Sequence, residues 1–225
     1  MIFEKYKKDL PYSYAFGAFG TIELLKKKNS YCKAVLIDPS FTKNDAFVLI
    51  QTLCKENNIE IIINHNEIAK IRDKDNIYVI GVFKKYNMKI NNNRHIIIKD
   101  INDYGLIGTI IRSMNGFNYH DLVLINCDID IYNEHLIRAS MGAFFSINIA
   151  IFKNIEDYFS TYKNNKIINV TKNGNAFSAN FKDDNYSYMF SNDIVDENNV
   201  VNYRFDKDIS LDNVVNIILF STYKE

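Results

Sequence analysis

The chain has 225 residues, of which 47% are hydrophobic and 24% are charged, and its 27 basic and 27 acidic residues cancel to a formal net charge of zero. This composition is ordinary for a globular protein, and the length allows one large domain or two small ones. The sequence contains no run of about 18 apolar residues, which excludes a membrane-spanning helix. Its first residues lack the apolar segment of a secretory signal. Its three cysteines form neither a disulfide framework nor a CxxC zinc site, so we expect a cytoplasmic protein.

Charge is distributed unevenly between the two halves of the chain. Residues 1–94 hold 16 Lys and Arg against 10 Asp and Glu, whereas residues 95–225 hold 11 against 17. The basic half concentrates its lysines in three clusters, at residues 5–8, 26–28 and 84–85. One such cluster is usually a solvated helix end or loop, but three in one half favour a surface that binds a polyanion.

In the first half, short apolar runs alternate with apolar residues at helical spacing. This pattern predicts a helix over 18–28, a strand over 33–37, a helix over 44–57, a strand over 59–63, a short helix over 65–71 and a strand over 77–83. A polar run at residues 84–94 follows, and we place a domain boundary there.

The second half repeats the alternation of strands and helices. The pattern predicts strands over 95–98 and 122–125, helices over 108–117 and 134–140, further apolar runs over 146–151, 166–170 and 186–190, and a final helix from Ile209. Strands that alternate with helices are typical of an α/β layer structure.

A segment rich in glycine carries the strongest functional signal. Three of the eight glycines fall within residues 105–116, and Arg112 lies among them in a helical pattern. Arginine is rare in this lysine-rich chain, so its planar guanidinium is a candidate for positioning a phosphate or a ribose. The alternative is a surface ion pair with Asp103 or a neighbouring acid. Arg138 has the same two interpretations.

Several segments, taken in order, resemble the motifs of the SpoU/TrmH family of RNA ribose 2′-O-methyltransferases, within the SPOUT superfamily. Residues 103–116 (DYGLIGTIIRSMNG) are similar to the first motif, roughly D-P-G-N-x-G-x-I-x-R-[ST]-A, and residues 138–145 (RASMGAFF) to the segment that ends in S-x-G-A. The second motif, G-x-E-x-x-G, corresponds to residues 191–193, and the third, S-L-N-V-S, begins at Ser210. The first half resembles the small RNA-binding domain that often precedes this fold.

The resemblance implies a two-domain α/β protein. Residues 1–90 would form a small α/β RNA-binding domain, and residues 95–225 a SPOUT methyltransferase domain with a parallel sheet and a deep trefoil knot. The family implies S-adenosylmethionine as the cofactor, no metal ion, and a homodimer whose active site takes residues from both subunits. The implied reaction is transfer of a methyl group to a ribose 2′-hydroxyl of ribosomal or transfer RNA.

The same resemblance gives individual residues candidate roles. A poorly nucleophilic ribose hydroxyl needs a nearby base or cation, because its proton must leave and negative charge develops on its oxygen. The catalytic candidates are Arg112, Asp193 and Asp212. The cofactor-binding candidates are Ser191, Asn202, Ser210 and Leu211. The RNA-binding candidates are Lys26, Lys27, Lys28 and Arg138.

The chain also departs from the family motifs. Leu106 replaces the asparagine of the first motif, Ser191 and Asp193 replace the glycine and glutamate of the second, and Asp212 and Val214 replace the asparagine and last serine of the third. A side chain in place of glycine can obstruct the approach of a cofactor. Three alternatives therefore stay open: a working enzyme with a rebuilt pocket, a weakened or inactive RNA-binding homodimer that no longer binds the cofactor well, and a homodimeric scaffold or regulatory module.

Overall fold

The structure is a computed structural model that describes residues 3–41, 44–91, 94–176, 186–205 and 208–223. It contains two compact units, the first formed by Met1–Asn87 with Asp130–Ser146 and the second by Met88–Ile129 with Ile147–Glu225. The first boundary between the units, after Asn87, falls inside the polar run at residues 84–94. The sequence predicts two continuous domains, 1–90 and 95–225. The structure differs in the segment Asp130–Ser146, which packs within the first unit.

The helices and strands follow in chain order as β1 (Tyr12–Phe16), α1 (Gly17–Lys27), β2 (Cys32–Ile37), α2 (Asp45–Glu56), β3 (Glu60–Ile63), α3 (His65–Ile71), β4 (Val79–Lys84), β5 (Ile96–Lys99), α4 (Tyr104–Gly116), β6 (Asp121–Ile125), α5 (Glu134–Ala139), β7 (Asn148–Phe152), α6 (Ile155–Thr161), β8 (Lys166–Thr171), β9 (Asn175–Ala176), β10 (Tyr186–Phe190), β11 (Val200–Arg204) and α7 (Leu211–Thr222). The structure confirms the predicted α3 and β10 at both ends, while β1, α6, β9 and β11 are additional to the predicted elements. Within the described residues, no helix has both the length and the apolar character needed to cross a bilayer.

The first unit is built on a four-stranded sheet in the order β1-β4-β2-β3, in which β4 is antiparallel to β1 and β2 while β2 and β3 are parallel. Successive side chains of a strand point to opposite faces. Leu36 on β2 thus packs in a core with Ile68 of α3, whereas Val35 packs in a second core with Leu25 of α1 and Ile50 of α2. The continuous apolar run of β2 reflects burial on both faces of the sheet.

Residues 130–146 belong to the first unit because they pack onto β1 and α1. The hydroxyl of Ser13 on β1 donates a buried hydrogen bond of 2.6 Å to the carbonyl of Tyr132. Gly142 has a φ of 84°, and a Cβ at this position would lie 2.8 Å from Cγ of Glu23 on α1. Glycine tolerates both this backbone conformation and the close approach. The glycine of the S-x-G-A segment therefore serves the packing of the first unit.

Asp38 connects the end of β2 to the start of α3. The residue is only 4% exposed. Its Oδ1 accepts hydrogen bonds from the backbone N–H of Ser40 at 3.0 Å and from the Ser40 hydroxyl at 2.6 Å, while Oδ2 lies 2.6 Å from Nδ1 of His65. The hydrogen bonds from Ser40, with a smaller contribution from His65, lower the pKa of Asp38 to about 2.

The second unit is built on a sheet of seven strands in the order β7-β6-β5-β10-β8-β11-β9, paired in parallel. On one side, α4 packs against α7. A core that includes Ile97 of β5 and Met189 of β10 also contains Ile155 and Tyr158 of α6. The α/β class and the parallel sheet are confirmed, and the trefoil knot stays a prediction.

A buried hydrogen-bond network fixes the chain that follows β10. The network, which we call the amide network, consists of the side chains of Asn169, Ser191 and Asn202 and the backbone of Asp193 and Val195. Asn169 on β8 lies in register with Asn202 on β11, and its Nδ2 donates to Oδ1 of Asn202 at 2.8 Å and to the carbonyl of Asp193 at 3.0 Å. Oδ1 of Asn169 accepts from the hydroxyl of Ser191 at 2.9 Å. Asn202 exchanges two hydrogen bonds, of 3.0 and 2.9 Å, with the backbone of Val195. Residues 191–195 are thereby held against β8 and β11.

We expect Asp38→Asn to reduce the dependence of stability on acid pH. A carboxyl whose pKa is lowered on folding contributes its full stabilisation above its unfolded pKa of about 3.9, and loses it as the pH falls toward about 2. The free energy of unfolding, measured by urea denaturation from about pH 5 to about pH 2.5, should therefore decline more steeply in the unchanged protein than in the variant. Asp45→Asn, which removes an exposed carboxylate, is the control. If the free energy of unfolding falls with pH equally steeply in Asp38→Asn and the unchanged protein, the pKa of Asp38 is not lowered by folding.

We expect Asn202→Val to lower the free energy of unfolding by about 3 kcal/mol, because the N–H and carbonyl of Val195 and the amide of Asn169 would lose buried partners. The matched control is Val201→Ala on the same strand, where the side chain is exposed and the cost should stay within about 0.5 kcal/mol. Urea denaturation measures both. If the two variants are equally stable, the amide network does not hold residues 191–195 in place.

Candidate active site

A cavity of about 660 Å³ lies at the carboxyl edge of the second sheet. Three adjacent strands of this sheet, β5, β10 and β8, end at the cavity. Its wall is formed by residues 100–102 after β5, residues 170–172 at the end of β8, Ser191 and Asn192 after β10, Leu106 in the first turn of α4, Phe205, residues 208–211, and Val214 in α7.

The position of the cavity follows from the order of the strands. From β5, the chain first builds the sheet to one side through β6 and β7, and later to the other side through β8, β10 and β11. The loops that leave neighbouring strands therefore diverge at β5 and leave a crevice, which is where open parallel sheets bind ligands. The volume falls within the range of about 300 to 1,000 Å³ that is usual for small-molecule pockets.

The beginning of α7 forms one wall of the cavity. Ser210 precedes the helix, and its side chain makes no capping hydrogen bond to the backbone of the first turn. Instead, its hydroxyl accepts from Nδ2 of Asn213 at 2.9 Å. The backbone N–H groups at the start of a helix carry partial positive charge and attract acceptors. This wall can therefore receive a carboxylate or another hydrogen-bond acceptor.

A paired carboxylate also borders the cavity. Asp100 follows β5 with a φ of 61°, accepts from Nδ2 of Asn126, and forms an ion pair with Lys99. Partial burial acts to raise the pKa of Asp100, but the hydrogen bonds from Lys99 and Asn126 outweigh it and hold the pKa below its ordinary value. Apolar side chains such as Leu106, Val170 and Val214 complete the wall. The cavity thus offers helix N–H donors and an apolar surface to one ligand, beside the Lys99–Asp100 ion pair.

The predicted cofactor-binding residues fall into two groups. Ser191, Ser210 and Leu211 line the cavity. Asn202 does not line it, but bonds to Asn169 and Val195 in the amide network behind it. The hydroxyl of Ser191 is directed to Asn169 and to the carbonyl of Asp193, at 2.9 and 2.7 Å. The serine that replaces the motif glycine is therefore part of the wall.

The three catalytic candidates lie outside the lining of the cavity. Arg112 is exposed on α4, and no side-chain partner is found for it in the described part of the chain. The side chain of Asp193 is exposed, while its carbonyl belongs to the amide network. Asp212 is half-buried in the first turn of α7, where its charge suits the helix dipole.

Several lysines of the first unit converge at one end of its sheet. The register places Lys84 of β4 beside Tyr12 of β1, with the start of β2 beside Phe83. We call this region the basic end; its lysines are Lys28, Lys33, Lys84 and Lys85. The ammonium of Lys28 lies 5.3 Å from the ring centre of Tyr86, that of Lys33 5.6 Å from Tyr12, and that of Lys85 4.8 Å from Tyr6. Such contacts attract the ammonium groups to the ring faces and restrain the lysine side chains.

Of the predicted RNA-binding residues, Lys28 belongs to the basic end, while Lys26 and Lys27 are exposed in the last turn of α1. Arg138 is ion-paired: its Nη1 lies 2.6 and 2.8 Å from the two carboxylate oxygens of Asp73. This geometry matches the ion-pair interpretation of an arginine better than the anion-binding one, since Asp73 neutralises the guanidinium.

Sequence reasoning misses several residues of the cavity wall, among them Asp100, Thr171 and Lys172. Asp100 directly follows β5, and Thr171 is the last residue of β8. Their position at strand ends is a usable signal, but only if the order of strands in the sheet is known. Among the described residues, no three His, Cys, Asp or Glu side chains cluster in a way that could hold a metal ion.

Comparison with known proteins gives one family-model match and a shared fold. Residues 93–194 match the model of the SpoU rRNA Methylase family. An rRNA methyltransferase from Sinorhizobium meliloti is 18% identical, with a TM-score of 0.71 over 94% of this chain and 86% of that chain. A solved RNA 2′-O ribose methyltransferase is 13% identical, with a TM-score of 0.69 over 94% and 87% of the two chains. Comparison with curated proteins found no match.

A third solved structure contains a ligand. The SpoU methyltransferase AviRb from Streptomyces viridochromogenes, in complex with the cofactor AdoMet, is 14% identical to this chain, with a TM-score of 0.70 over 94% of this chain and 89% of that chain. At these identities the structural likenesses show the fold, and the family match covers most of the cavity-bearing unit. Residues 93–194 are therefore similar to the SpoU rRNA Methylase family.

Proposed function

We propose that this protein transfers a methyl group from S-adenosylmethionine to a ribose 2′-hydroxyl of ribosomal or transfer RNA. The observation that carries the proposal is the cavity itself. The helix of the first motif (Leu106), the residues at the second motif (Ser191) and the start of the third (Ser210 and Leu211) border one space of about 660 Å³. The structurally similar proteins, among them an rRNA methyltransferase, an RNA 2′-O ribose methyltransferase and a SpoU methyltransferase in complex with AdoMet, support the same reaction.

The residues of the wall fit S-adenosylmethionine. This molecule combines a flat adenine, a polar ribose, a positively charged sulfonium and an amino acid, and its sulfonium supplies the methyl group. The apolar side chains of Leu106, Val170 and Val214 suit a ring, while the start of α7 suits an acceptor such as a carboxylate. Asp100 also borders the cavity, with its carboxylate already paired with Lys99. Because Ser191 is tied back into the amide network, its side chain leaves the cavity open.

The chain's own residues must bind and orient the hydroxyl that is methylated, and must stabilise charge on its oxygen. We assign that charge stabilisation to Arg112. Because Arg112 is exposed on α4 and does not line the cavity of its own subunit, we propose that it acts at the site of a second copy in a homodimer. Asp193 and Asp212 stay candidates for accepting the proton.

An exposed apolar strip on the second unit supports the homodimer. Phe220 of α7 is 72% exposed, and Ile217 and Tyr223 are also exposed. The rings of Phe220 and Tyr223 lie 6.3 and 6.0 Å from that of Phe117, at the end of α4. A continuous apolar patch of this kind is typical of a surface that is covered by a partner.

The basic end supports RNA as the partner of the first unit. Its four lysines carry no ion pair in the described part of the chain. Lysines that neutralise phosphates provide most of the non-specific affinity of a nucleic-acid-binding protein.

The three cysteines carry no disulfide, which agrees with the cytoplasm as the proposed location.

A second candidate function is an RNA-binding homodimer that has lost the cofactor. Arg112 is absent from the lining of the cavity, and Asp212 replaces the motif asparagine; both observations favour it. Calorimetric titration separates the two. Binding of S-adenosylmethionine or its demethylated product supports the enzyme, whereas RNA binding without either ligand supports the second function.

We expect Arg112→Ala to reduce methyl transfer by about 100-fold or more while cofactor affinity and melting temperature are unchanged, because the guanidinium acts on the developing oxyanion. Transfer is measured as incorporation of the labelled methyl group from S-adenosylmethionine into unmodified rRNA and tRNA transcripts. Arg112→Lys keeps the charge but loses the planar fork, so its rate of methyl transfer should lie between those of the unchanged protein and Arg112→Ala. Full activity of Arg112→Ala would remove this residue from the mechanism.

We expect Lys28→Ala/Lys33→Ala/Lys85→Ala to weaken RNA binding and to lower the slope of log affinity against log salt by about 2, since each lost phosphate contact changes that slope by about 0.7 to 0.9. The matched control is Lys55→Ala/Lys70→Ala/Lys74→Ala, which removes the same charge elsewhere in the first unit. Fluorescence anisotropy with a labelled rRNA fragment measures both. A second variant, Lys26→Ala/Lys27→Ala, reports the contribution of the α1 end. If the triple variant and its control have the same slope, the basic end is not the RNA site.

A further inference from the structure

A row of aromatic rings leads from the core of the first unit to its basic end. The row begins at Phe145 and Phe83, which are almost completely buried and lie edge to face with their ring centres 5.2 Å apart. It continues from Phe83 to Tyr86 at 6.4 Å, and from Tyr86 to Tyr31 at 4.5 Å. Tyr31 ends the short helical turn at residues 29–31, directly before β2, and is half-buried. The row thus brings an aromatic ring from the interior to the surface.

Tyr31 is the last ring of this row. Tyr86 contacts the rings of Phe83, Tyr132 and Tyr31, and burial raises the pKa of its hydroxyl. Within the described residues, Tyr31 contacts one ring, that of Tyr86. Its hydroxyl makes no hydrogen bond there, and it is not among the buried oxygens that lack a partner. The outer edge of Tyr31 is therefore accessible to water.

The lysines of the basic end lie over the neighbouring rings. Four tyrosines of this region have an ammonium group between 4.8 and 5.8 Å from the ring centre, namely Tyr6, Tyr12, Tyr86 and Tyr132. In the described part of the chain, no such group lies over Tyr31. Its ring therefore has Tyr86 on one side and neither a ring nor an ammonium group on the other, while Lys28 is held on the adjacent Tyr86.

An accessible aromatic ring beside several lysines matches the chemistry of an unpaired RNA strand. In a duplex the bases stack on one another, and the protein meets mainly phosphates and sugars. In a single strand the faces of the bases are open and can stack on aromatic side chains, whatever the base. Lysines next to such a ring neutralise the phosphates of the same strand. The basic end thus has groups for both parts of a single-stranded nucleotide.

We propose that Tyr31 stacks on an unpaired RNA base, and that the basic end binds a single-stranded segment rather than a duplex. The inference rests on the proposed function, to which it adds the kind of RNA structure that is bound and a residue that recognises it. Tyr31 acts through its ring, whereas the lysines act through charge. Loss of the ring should therefore weaken binding and leave its salt dependence unchanged, because no phosphate contact is removed.

The experiment measures fluorescence anisotropy of the full chain with a labelled RNA of about 12 nucleotides that forms no internal base pairs, and with the same RNA annealed to its complement. Tyr31→Leu keeps an apolar side chain against Tyr86 but removes the aromatic face. We expect it to weaken binding of the single strand about 10-fold, or about 1.4 kcal/mol, with the same salt slope and an unchanged affinity for the duplex. Tyr31→Phe keeps the ring and should bind the single strand within about threefold of the unchanged protein.

The matched control is Tyr78→Leu. Tyr78 is 43% exposed and directly precedes β4, at the end of that strand opposite to Lys84. Its replacement removes a tyrosine ring from the surface of the same unit, and we expect both RNA affinities to stay unchanged. The melting temperature of each variant shows that it is folded.

The possible results separate this inference from the proposed function. If Tyr31→Leu binds the single strand as tightly as the unchanged protein, or weakens both RNAs by the same factor, Tyr31 does not stack on an unpaired base, while RNA as the partner stands. If Tyr31→Phe loses as much affinity as Tyr31→Leu, the ring is not the contact. If the unchanged protein binds neither RNA, the proposed function fails in its partner and the assignment of Tyr31 fails with it.

Discussion

The pairing of two carboxamides across β8 and β11 is the constraint on which the candidate active site depends. A buried amide is costly to desolvate unless its hydrogen-bonding groups find partners. Asn169 and Asn202 satisfy one another and use their remaining groups on Ser191, Asp193 and Val195. The sheet can therefore bury polar groups in its interior, and the segment after β10 is held at a defined distance from the ends of β5 and β8. The cavity exists because this segment cannot collapse onto those strand ends.

The same network explains how the chain accommodates its departure from the family motifs. A glycine after β10 would allow a close approach through the absence of a side chain. Ser191 instead adds a hydroxyl, which would narrow the space if it pointed into the cavity. Its bonds to Asn169 and to the carbonyl of Asp193 keep it in the wall. The position of the Ser191 hydroxyl in the wall thus depends on Asn169, a residue on another strand.

Much of the fold could be predicted from the sequence, because buried parallel strands are short apolar runs and their helices have regular spacing. β2, β5, β6, β8 and β10 all follow this rule. β11 does not, because its polar residues, Asn202 among them, are satisfied by partners that only the folded sheet provides. For the same reason the sequence identifies Ser210 and Leu211 by motif, but not Asp100 or Thr171. Those residues become neighbours through the strand order, and the sequence does not state that order.

The return of residues 130–146 to the first unit means that the chain passes between the two units three times. Phe144 and Phe145 within this segment are almost completely buried, and Gly142 packs against Glu23 of α1. A fragment that begins after the polar run at residues 84–94 would carry those two aromatic rings without the strands and helix that cover them. The units are therefore interdependent for folding, and loss or exchange of the amino-terminal part in evolution would require a compensating change in a loop more than forty residues downstream.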